Sequence, residues 1–157
     1  MPRSQQANLH VHLATALVRR GNEILLVASR YPNHPEPLWN LPGGRQQPGE
    51  LLVQTALREL HEETGLQGTV QELCYVSESY DDDTHFINAT FAVNAQGEPG
   101  LPLIEGDHVV EAAWVPIETL AQRLRIAVVR EPLIAFLENG LRYSGYADAG
   151  ITIEFPD

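Results

Sequence analysis

The chain has 157 residues, of which 43% are hydrophobic and 20% charged, and its formal net charge at pH 7 is −11. All of its basic side chains are arginine, which excludes a lysine Schiff base, a lysine nucleophile and a Walker-type phosphate lysine. So acidic a chain is not expected to bind nucleic-acid polymers or anionic lipids, because such binding depends on basic side chains. Any chemistry on phosphates is therefore expected to need a cation.

The length predicts one domain, residues 1–157, with a single buried core. The lone cysteine, Cys74, excludes an internal disulfide and is expected in the core. No apolar run approaches the ~18 residues of a membrane span, and residues 1–10 contain no apolar signal core. We expect a soluble, most simply cytoplasmic protein with no membrane partner.

The first third of the chain is predicted to contain strands and loops. Apolar, β-branched runs indicate strands at 9–18 and 24–29 that are joined by a turn. Three prolines in 31–37 predict a loop, since each proline lacks a donor and restrains the residue before it. A short strand is expected at 39–41, ended by the Pro-Gly-Gly of 42–44.

The clearest predicted helix spans residues 51–64. Its apolar side chains recur at helical spacing, and Gly65 provides a C-terminal stop. These apolar residues are Val53, Ala56, Leu57 and Leu60. They define the face that turns toward the core.

The second half is predicted to hold three strands, a short helix, a longer helix and a weak edge strand. In chain order these are 69–79, 85–93, 109–115, 117–124, 127–139 and 151–155. An acidic turn, 80–83, separates the first two strands, and Pro132 is able to shift or kink the start of the longer helix. The mixture predicts an α+β or α/β sandwich in which helices cover a mixed sheet.

Three carboxylates project from one sector of the predicted helix. Glu59, Glu62 and Glu63 stand at i, i+3 and i+4, beside the apolar face. Like charges at this spacing each cost about 0.2–0.5 kcal/mol, and only Arg58 stands near to offset them. Clustered carboxylates suit Mg²⁺ or Mn²⁺. The alternative is a solvated acidic face in which Arg58 pairs with a glutamate.

Two further features lie just before these carboxylates. Glu50 stands near the helix start, where the helix dipole favours a negative charge. The glycines of 42–44 permit unusual backbone angles and close approach by a ligand or metal.

The spacing of this segment is more specific than its charge. Residues 44–66 read G-x5-E-x7-R-E-[aliphatic]-x-E-E-x-G-[aliphatic]. The defined positions are Gly44, Glu50, Arg58, Glu59, Leu60, Glu62, Glu63, Gly65 and Leu66. The segment resembles the Nudix box of the Nudix (MutT-like) hydrolases at every defined position. Residues 39–44 and 111–116 are similar to the flanks of that family's domain.

This resemblance implies an α/β fold, the Nudix α/β/α sandwich with a mixed sheet and the box as a loop–helix–loop. It implies hydrolysis of a nucleoside diphosphate linked to another moiety, with Mg²⁺ or Mn²⁺ and water. Glu59, Glu62 and Glu63 would be metal ligands, and one of them is also a candidate general base. Glu50 would be a further metal ligand or an orienting partner, and the Gly44 carbonyl could also reach a metal. Arg58 would hold a glutamate side chain in place through a charge-assisted hydrogen bond.

One position departs from the family's late segment. Where many relatives have a glutamate after the aspartate, this chain has His108. Glu105 or Glu111 could supply the additional carboxylate, with Glu111 the favoured accessory metal ligand. Alternatively His108 could act as a base near neutral pH, or have only a structural role.

The substrate is less determined than the family. A nucleobase needs aromatic or apolar platforms, and we expect these from Tyr31, Trp39, Tyr80 and Phe86, with His34 and His85 beside them. For each aromatic residue the alternative is core packing. The predicted reaction is hydrolysis of a (d)NTP to (d)NMP and pyrophosphate.

Other reactions and assemblies stay open at this stage. The alternative substrates are dinucleoside polyphosphates, ADP-ribose and nucleotide sugars. A non-catalytic nucleotide-binding module is a further alternative. Homodimers are common among Nudix relatives, so a homodimer is also possible.

Overall fold

The computed structural model of the chain describes residues 9–104 and 107–147. In chain order the strands are β1 (Leu9–Leu17), β2 (Arg19–Arg20), β3 (Glu23–Ser29), β4 (Leu38–Asn40), β5 (Gly43–Arg45), β6 (Gly68–Asp81), β7 (Thr84–Ala95), β8 (Val109–Pro116) and β9 (Tyr143–Tyr146). The helices are α1 (Leu52–Thr64), α2 (Leu120–Arg123) and α3 (Ala127–Asn139), with a 3₁₀ turn at Ile117–Thr119. The expected edge strand 151–155 and Glu105 lie outside the described residues.

The strands form two sheets. The larger has the order β5-β1-β7-β6-β9, in which β1 runs parallel to β7 and β6 parallel to β9, while the other neighbours are antiparallel. In the smaller sheet β3 pairs antiparallel with β2, β4 and β8. The predicted mixed sheet is therefore confirmed, and it belongs to an α/β/α sandwich.

The predicted strand–turn–strand unit at the N-terminus is only partly correct. The hairpin pairs β2 with the beginning of β3, whereas β1 belongs to the other sheet and lies between β5 and β7. The chain changes sheets at Val18, which is fully buried. A local apolar pattern predicts that strands form, but their partners are decided by contacts distant in sequence.

Helix α1 matches its prediction to within one residue. Gly65 ends the helix in the left-handed conformation at φ 79°, and its N–H donates to the His61 carbonyl. The apolar face of α1 packs on β1, β5, β6 and β7 of the larger sheet. Ala56 and Leu60 are completely buried there. This packing fixes the rotation of the helix and therefore the direction of its carboxylates.

A second core lies on the other side of the larger sheet. It joins side chains from both sheets with the helices α2 and α3. Its largest fully buried members are Ile24, Leu26, Leu120, Leu124 and Leu133. As expected, Cys74 belongs to this core as a buried free thiol.

The remaining elements differ from the predictions in detail. The acidic turn is shorter than predicted because β6 and β7 extend to Asp81 and Thr84, with Asp82 at φ 50°. Helix α3 has the predicted bounds and buries Pro132 without a change at its start. Strands β5 and β9 were not predicted, because each is short and contains glycine. No helix in the described part of the chain is long and apolar enough to cross a membrane.

Candidate active site

Arg58 organises the carboxylates at the start of the site. Its Nε donates to Glu50 Oε2 at 2.6 Å, and its Nη2 donates to Glu50 Oε1 at 3.1 Å. Its Nη1 donates to Glu59 Oε1 at 2.9 Å and to Glu62 Oε2 at 3.1 Å. A further bond from Nη2 to the Arg45 carbonyl ties the guanidinium to β5. One cation therefore partners three of the four glutamates.

Glu50 is held completely by the protein. Besides Arg58, its Oε1 accepts the Gln47 N–H at 2.8 Å and the Thr55 hydroxyl at 3.0 Å. The bidentate Arg58 pair is the first cause of a pKa lowered to about 2. Because both of its oxygens already accept hydrogen bonds, Glu50 fits the expected role of orienting partner better than that of metal ligand.

Glu63 is in the opposite electrostatic situation. Its side chain is only 2% exposed, and Oε1 accepts the Gly43 N–H at 2.8 Å. Burial, followed by the charges of Glu59, Asp107 and Glu62, raises its pKa to about 9. Arg58, which partners the other three box glutamates, makes no hydrogen bond or ion pair to it within the described residues. Glu63 is therefore a buried carboxylate with which no arginine pairs among the described residues, and the His108 imidazole lies 3.9 Å from its Oε2.

Gly44 and Glu59 fit each other closely. A Cβ atom at position 44 would lie 2.7 Å from the carboxyl carbon of Glu59, so a side chain there would displace the carboxylate. Burial is the main cause of the raised pKa of Glu59, and Arg58 opposes it. The carboxylates on α1 thus occupy a half-buried cleft against β5, which excludes the alternative of a fully solvated acidic face.

Asp107 and His108 approach the cluster from the segment before β8. The ligand atoms of Glu63, Asp107 and His108 all lie within 4.8 Å of one another. Asp107 is the residue that sequence reasoning did not select. The sequence signal that could have identified it is an aspartate two residues before a predicted strand, next to His108.

These donors fit a divalent cation. The site combines carboxylate oxygens and an imidazole. One of its carboxyl groups, that of Glu63, is buried, and its ionised form is disfavoured when no cation is present. Buried charges are normally paired or bound to a metal. Ligand atoms on opposite sides of one ion are roughly 4 Å apart. This is close to the 4.8 Å within which the ligand atoms of Glu63, Asp107 and His108 lie.

A cavity of about 480 Å³ lies against β1, beside β5. Its walls are largely apolar and aromatic, with Leu13, Tyr31, Phe86 and Ile126 among them. Among the described residues that line it there is no arginine, and Asp81 adds negative charge. Such a cavity suits an uncharged, partly aromatic group rather than a phosphate chain.

Tyr31 and the β1–β5 pairing connect the cavity with the carboxylates. Burial raises the pKa of Tyr31, and the Glu63 charge contributes to that shift. Leu13 and Thr15 line the cavity and pair with Arg45 and Gly43 across the strands. The strand pairing therefore places the cavity next to β5, whose Gly43 N–H donates to Glu63.

The structure brings only two of the four expected aromatic platforms to this cavity. Tyr31 and Phe86 line it. Tyr80 lies on the opposite face of the sheet, because neighbouring Ser79 and Asp81 face the cavity and side chains alternate along a strand. There its ring stacks on His85, with ring centroids 4.3 Å apart. Tyr80 is thus a packing residue in this arrangement.

Trp39 and Glu111 lie together at a different place. Both line a second cavity of about 530 Å³, where the Arg123 guanidinium lies 4.9 Å from the Trp39 ring centroid. Ala28 on β3 pairs with Trp39 on one side and with Glu111 on the other, so the two residues flank it in the smaller sheet. The structure does not bring Glu111 into the group formed by Glu63 and its neighbours. Its expected role as accessory ligand therefore lacks geometric support.

Comparisons with known proteins agree with this geometry. A family model described as "NUDIX domain" matches residues 9–137. A "Putative mutator protein MutT4" of Mycobacterium tuberculosis is 33% identical over 128 residues, which cover 76% of this chain and 52% of the relative. "Phosphatase NudJ" of Escherichia coli is 31% identical over 136 residues, which cover 84% of this chain and 86% of that protein.

A solved structure shares the fold. The "NUDIX hydrolase from Nitrosomonas europaea" has a TM-score of 0.71 at 24% identity, covering 85% of this chain and 91% of that one. The chain spans about half the length of the first of the curated relatives.

Proposed function

This chain belongs to the NUDIX domain family, and on that premise we propose that it is a divalent-metal-dependent hydrolase of nucleoside polyphosphates. The proposed reaction converts a (d)NTP to a (d)NMP and pyrophosphate. The observation that carries the proposal is the proximity of two unlike surfaces. A largely apolar, partly aromatic cavity lies next to the strand that contacts Glu63, a buried carboxylate with which no arginine pairs among the described residues.

These two surfaces match the two halves of a nucleotide. The nucleoside would enter the cavity between Tyr31 and Phe86, where the apolar walls favour a base. The phosphates would lie toward Glu63, where their charge is tolerated only with a cation. The acidity of the chain, −11 overall, makes that cation a requirement.

The proposed ligands are the carboxylates of Glu59, Glu62 and Glu63, with the Gly44 carbonyl beside them. We propose Mg²⁺ or Mn²⁺ as the cation, which when bound neutralises phosphate charge and activates water for in-line attack. Arg58 keeps Glu59 and Glu62 in place through charge-assisted hydrogen bonds. Glu50 in turn orients the Arg58 guanidinium from its other side.

Glu63 would also couple cation binding to proton release. With a pKa of about 9 in the absence of a cation, its carboxyl group carries a proton at neutral pH. A cation bound here would need the ionised form of Glu63, so its binding would be accompanied by release of that proton. The Gly43 N–H holds Oε1 at 2.8 Å and keeps the carboxyl group oriented through this change.

The test is a substrate panel assayed with purified protein and either Mg²⁺ or Mn²⁺. The panel contains (d)NTPs, dinucleoside polyphosphates, ADP-ribose and nucleotide sugars, with monophosphate and pyrophosphate quantified separately. We expect a (d)NTP to have the highest kcat/KM and to yield pyrophosphate. Nucleotide binding without turnover of any substrate at pH 7–9 would instead establish a non-catalytic module.

Three expectations from the sequence stay predictions. These are that residues 1–157 act as one domain, that the protein is cytoplasmic, and that it is able to form a homodimer. The described elements support the first, since α1 and α3 cover opposite faces of the larger sheet.

A further inference from the structure

His108 stands where many relatives have a glutamate. Among the described residues it belongs to the only set of three histidine, cysteine or acidic side chains whose potential ligand atoms all lie within 4.8 Å of one another. His108 Nε2 is 3.9 Å from Glu63 Oε2, too far for a hydrogen bond. Its Nδ1 is 3.6 Å from Asp107 Oδ1, which is also beyond hydrogen-bond reach. The imidazole therefore faces two carboxylates without being bonded to either of them.

The opposing carboxylate has one oxygen that the protein leaves open. Oε1 of Glu63 accepts the Gly43 N–H, whereas Oε2 accepts no hydrogen bond within the described residues. The side chain is 2% exposed, and Oε2 is not one of the fully enclosed polar atoms that lack a partner, so it is the oxygen that an ion from solvent can reach. A reachable carboxylate oxygen opposite an imidazole is a place where both could bind the same ion.

The backbone holds this arrangement in place. The His108 carbonyl accepts the Arg30 N–H at 2.9 Å, and Asp107 Oδ1 accepts the Val109 N–H at 2.8 Å. Both bonds connect the segment to the end of β3 or the start of β8. The histidine side chain is itself 56% exposed, which leaves a path for an ion from solvent.

We propose that His108 is a metal ligand together with Glu63 and Asp107, and that the site therefore prefers a first-row transition cation to Mg²⁺. The inference rests on the proposed metal-dependent function and narrows its cofactor. Mg²⁺ is bound by oxygen ligands and gains little from imidazole. Imidazole instead suits transition ions, and their affinity rises from Mn²⁺ through Co²⁺ to Ni²⁺.

The test measures binding of Mg²⁺, Mn²⁺ and Co²⁺ by calorimetry to the metal-free chain, without nucleotide. The variants are His108→Asn, which removes the imidazole, and His108→Asp, which replaces it with a carboxylate. Because the side chain is largely exposed and its backbone bond is retained, both are expected to fold. The matched control is His85→Asn, since His85 also faces a carboxylate, Glu78, at 2.7 Å but belongs to no three-ligand group within the described residues.

We expect His108→Asn to weaken Co²⁺ binding by roughly tenfold or more, and Mg²⁺ binding by less than about twofold. His108→Asp is expected to reduce the Co²⁺ preference while retaining Mg²⁺. Proton NMR of the Co²⁺-loaded wild type should show one paramagnetically shifted, exchangeable imidazole N–H signal. That signal should be absent in His108→Asn and present in His85→Asn.

Two results would overturn the inference, and they are distinguishable. Equal losses for Co²⁺ and Mg²⁺, with no shifted imidazole signal in the wild type, would show that His108 supports the site without binding a metal. The proposed hydrolase would survive that result. If none of the three cations binds the wild type, the proposed metal site itself fails, and this inference fails with it.

Discussion

The two ends of the Nudix segment hold carboxylates in opposite states. At one end, Arg58 and two other donors, the Gln47 N–H and the Thr55 hydroxyl, fully engage Glu50, and its pKa falls to about 2. At the other end, Glu63 is buried beside further carboxylates, and its pKa rises to about 9. Both residues are glutamates of one 23-residue motif, so residue type alone does not decide their roles.

The difference separates structure from chemistry within one motif. The Glu50–Arg58 pair is internally neutralised, so it acts as the scaffold that orients Glu59 and Glu62. No arginine pairs with Glu63 among the described residues, so its ionised form depends on a cation from outside. The following substitutions test this division at each end.

The largest effect is expected at Glu63, the box glutamate with which Arg58 does not pair. Glu63→Gln removes the charge and is expected to lower turnover by roughly 10²–10³-fold, as loss of a key electrostatic group does. The metal-free variant should nevertheless melt at a higher temperature than wild type at pH 8, because folding of the wild type at this pH requires Glu63 to take up a proton and glutamine requires none. Initial rates and thermal unfolding check both, with the exposed Glu72→Gln as control. Wild-type turnover in both Glu63→Gln and Glu59→Gln would contradict the assigned roles.

At the other end of the segment, where Arg58 pairs with Glu50, the main expected effect is on the stability of the fold. Arg58→Met leaves three neighbouring carboxylates without their shared donor, and we expect a loss of roughly 2–4 kcal/mol in the free energy of unfolding. Denaturant titration measures it. The matched control is Glu36→Gln, which breaks the pair to Arg125 where Glu36 is 70% exposed, and it should change stability by less than about 1 kcal/mol. Similar losses in both variants would mean that the Arg58 network is an ordinary surface pairing.

The pH dependence of stability should have two limbs with different origins. Because the folded-state pKa of Glu50 is lowered from 4.5 to about 2, its contribution is present above pH 4.5 and is lost as the pH falls toward 2. Glu63 acts in the other direction. The metal-free folded state retains a proton that the unfolded state releases, so stability falls as the pH rises from 4.5 to about 9.

Melting temperatures between pH 2 and 9 separate these limbs. Glu50→Gln should flatten the acid limb, and Glu63→Gln should flatten the limb above pH 4.5. A saturating divalent cation should also oppose the second limb, because it stabilises the ionised carboxylate. An unchanged profile in Glu63→Gln would contradict the uncompensated state of this residue.

The smallest effect tests the contact between β5 and α1. In Gly44→Ala the new Cβ would lie 2.7 Å from the Glu59 carboxyl carbon, so Glu59 must shift. We expect kcat to fall by about tenfold, since catalytic groups tolerate little displacement, with only a modest change in stability. The control is Gly100→Ala, whose nearest contact is an ordinary 3.8 Å to the Thr64 carbonyl. Equal activity of the two variants would show that the close fit is unimportant.

The sequence by itself determined the local part of this site. Helix α1 and the common direction of Glu59, Glu62 and Glu63 follow from helical periodicity, and Gly65 ends the helix where a left-handed residue is needed. The partnership of Arg58 with neighbouring glutamates follows from the same short-range geometry. Such features depend on residues within a few turns, so a sequence pattern is sufficient to predict them.

Only the tertiary structure decided which distant residues complete the site. Asp107 and His108 reach Glu63 because the Arg30–His108 bond and the β3–β8 pairing align that segment with the helix. Strand alternation and register likewise turn Phe86 toward the cavity while Tyr80 and Glu111 lie apart from it. Pairing between strands far apart in sequence is set by the packing of the whole core, which no local pattern contains.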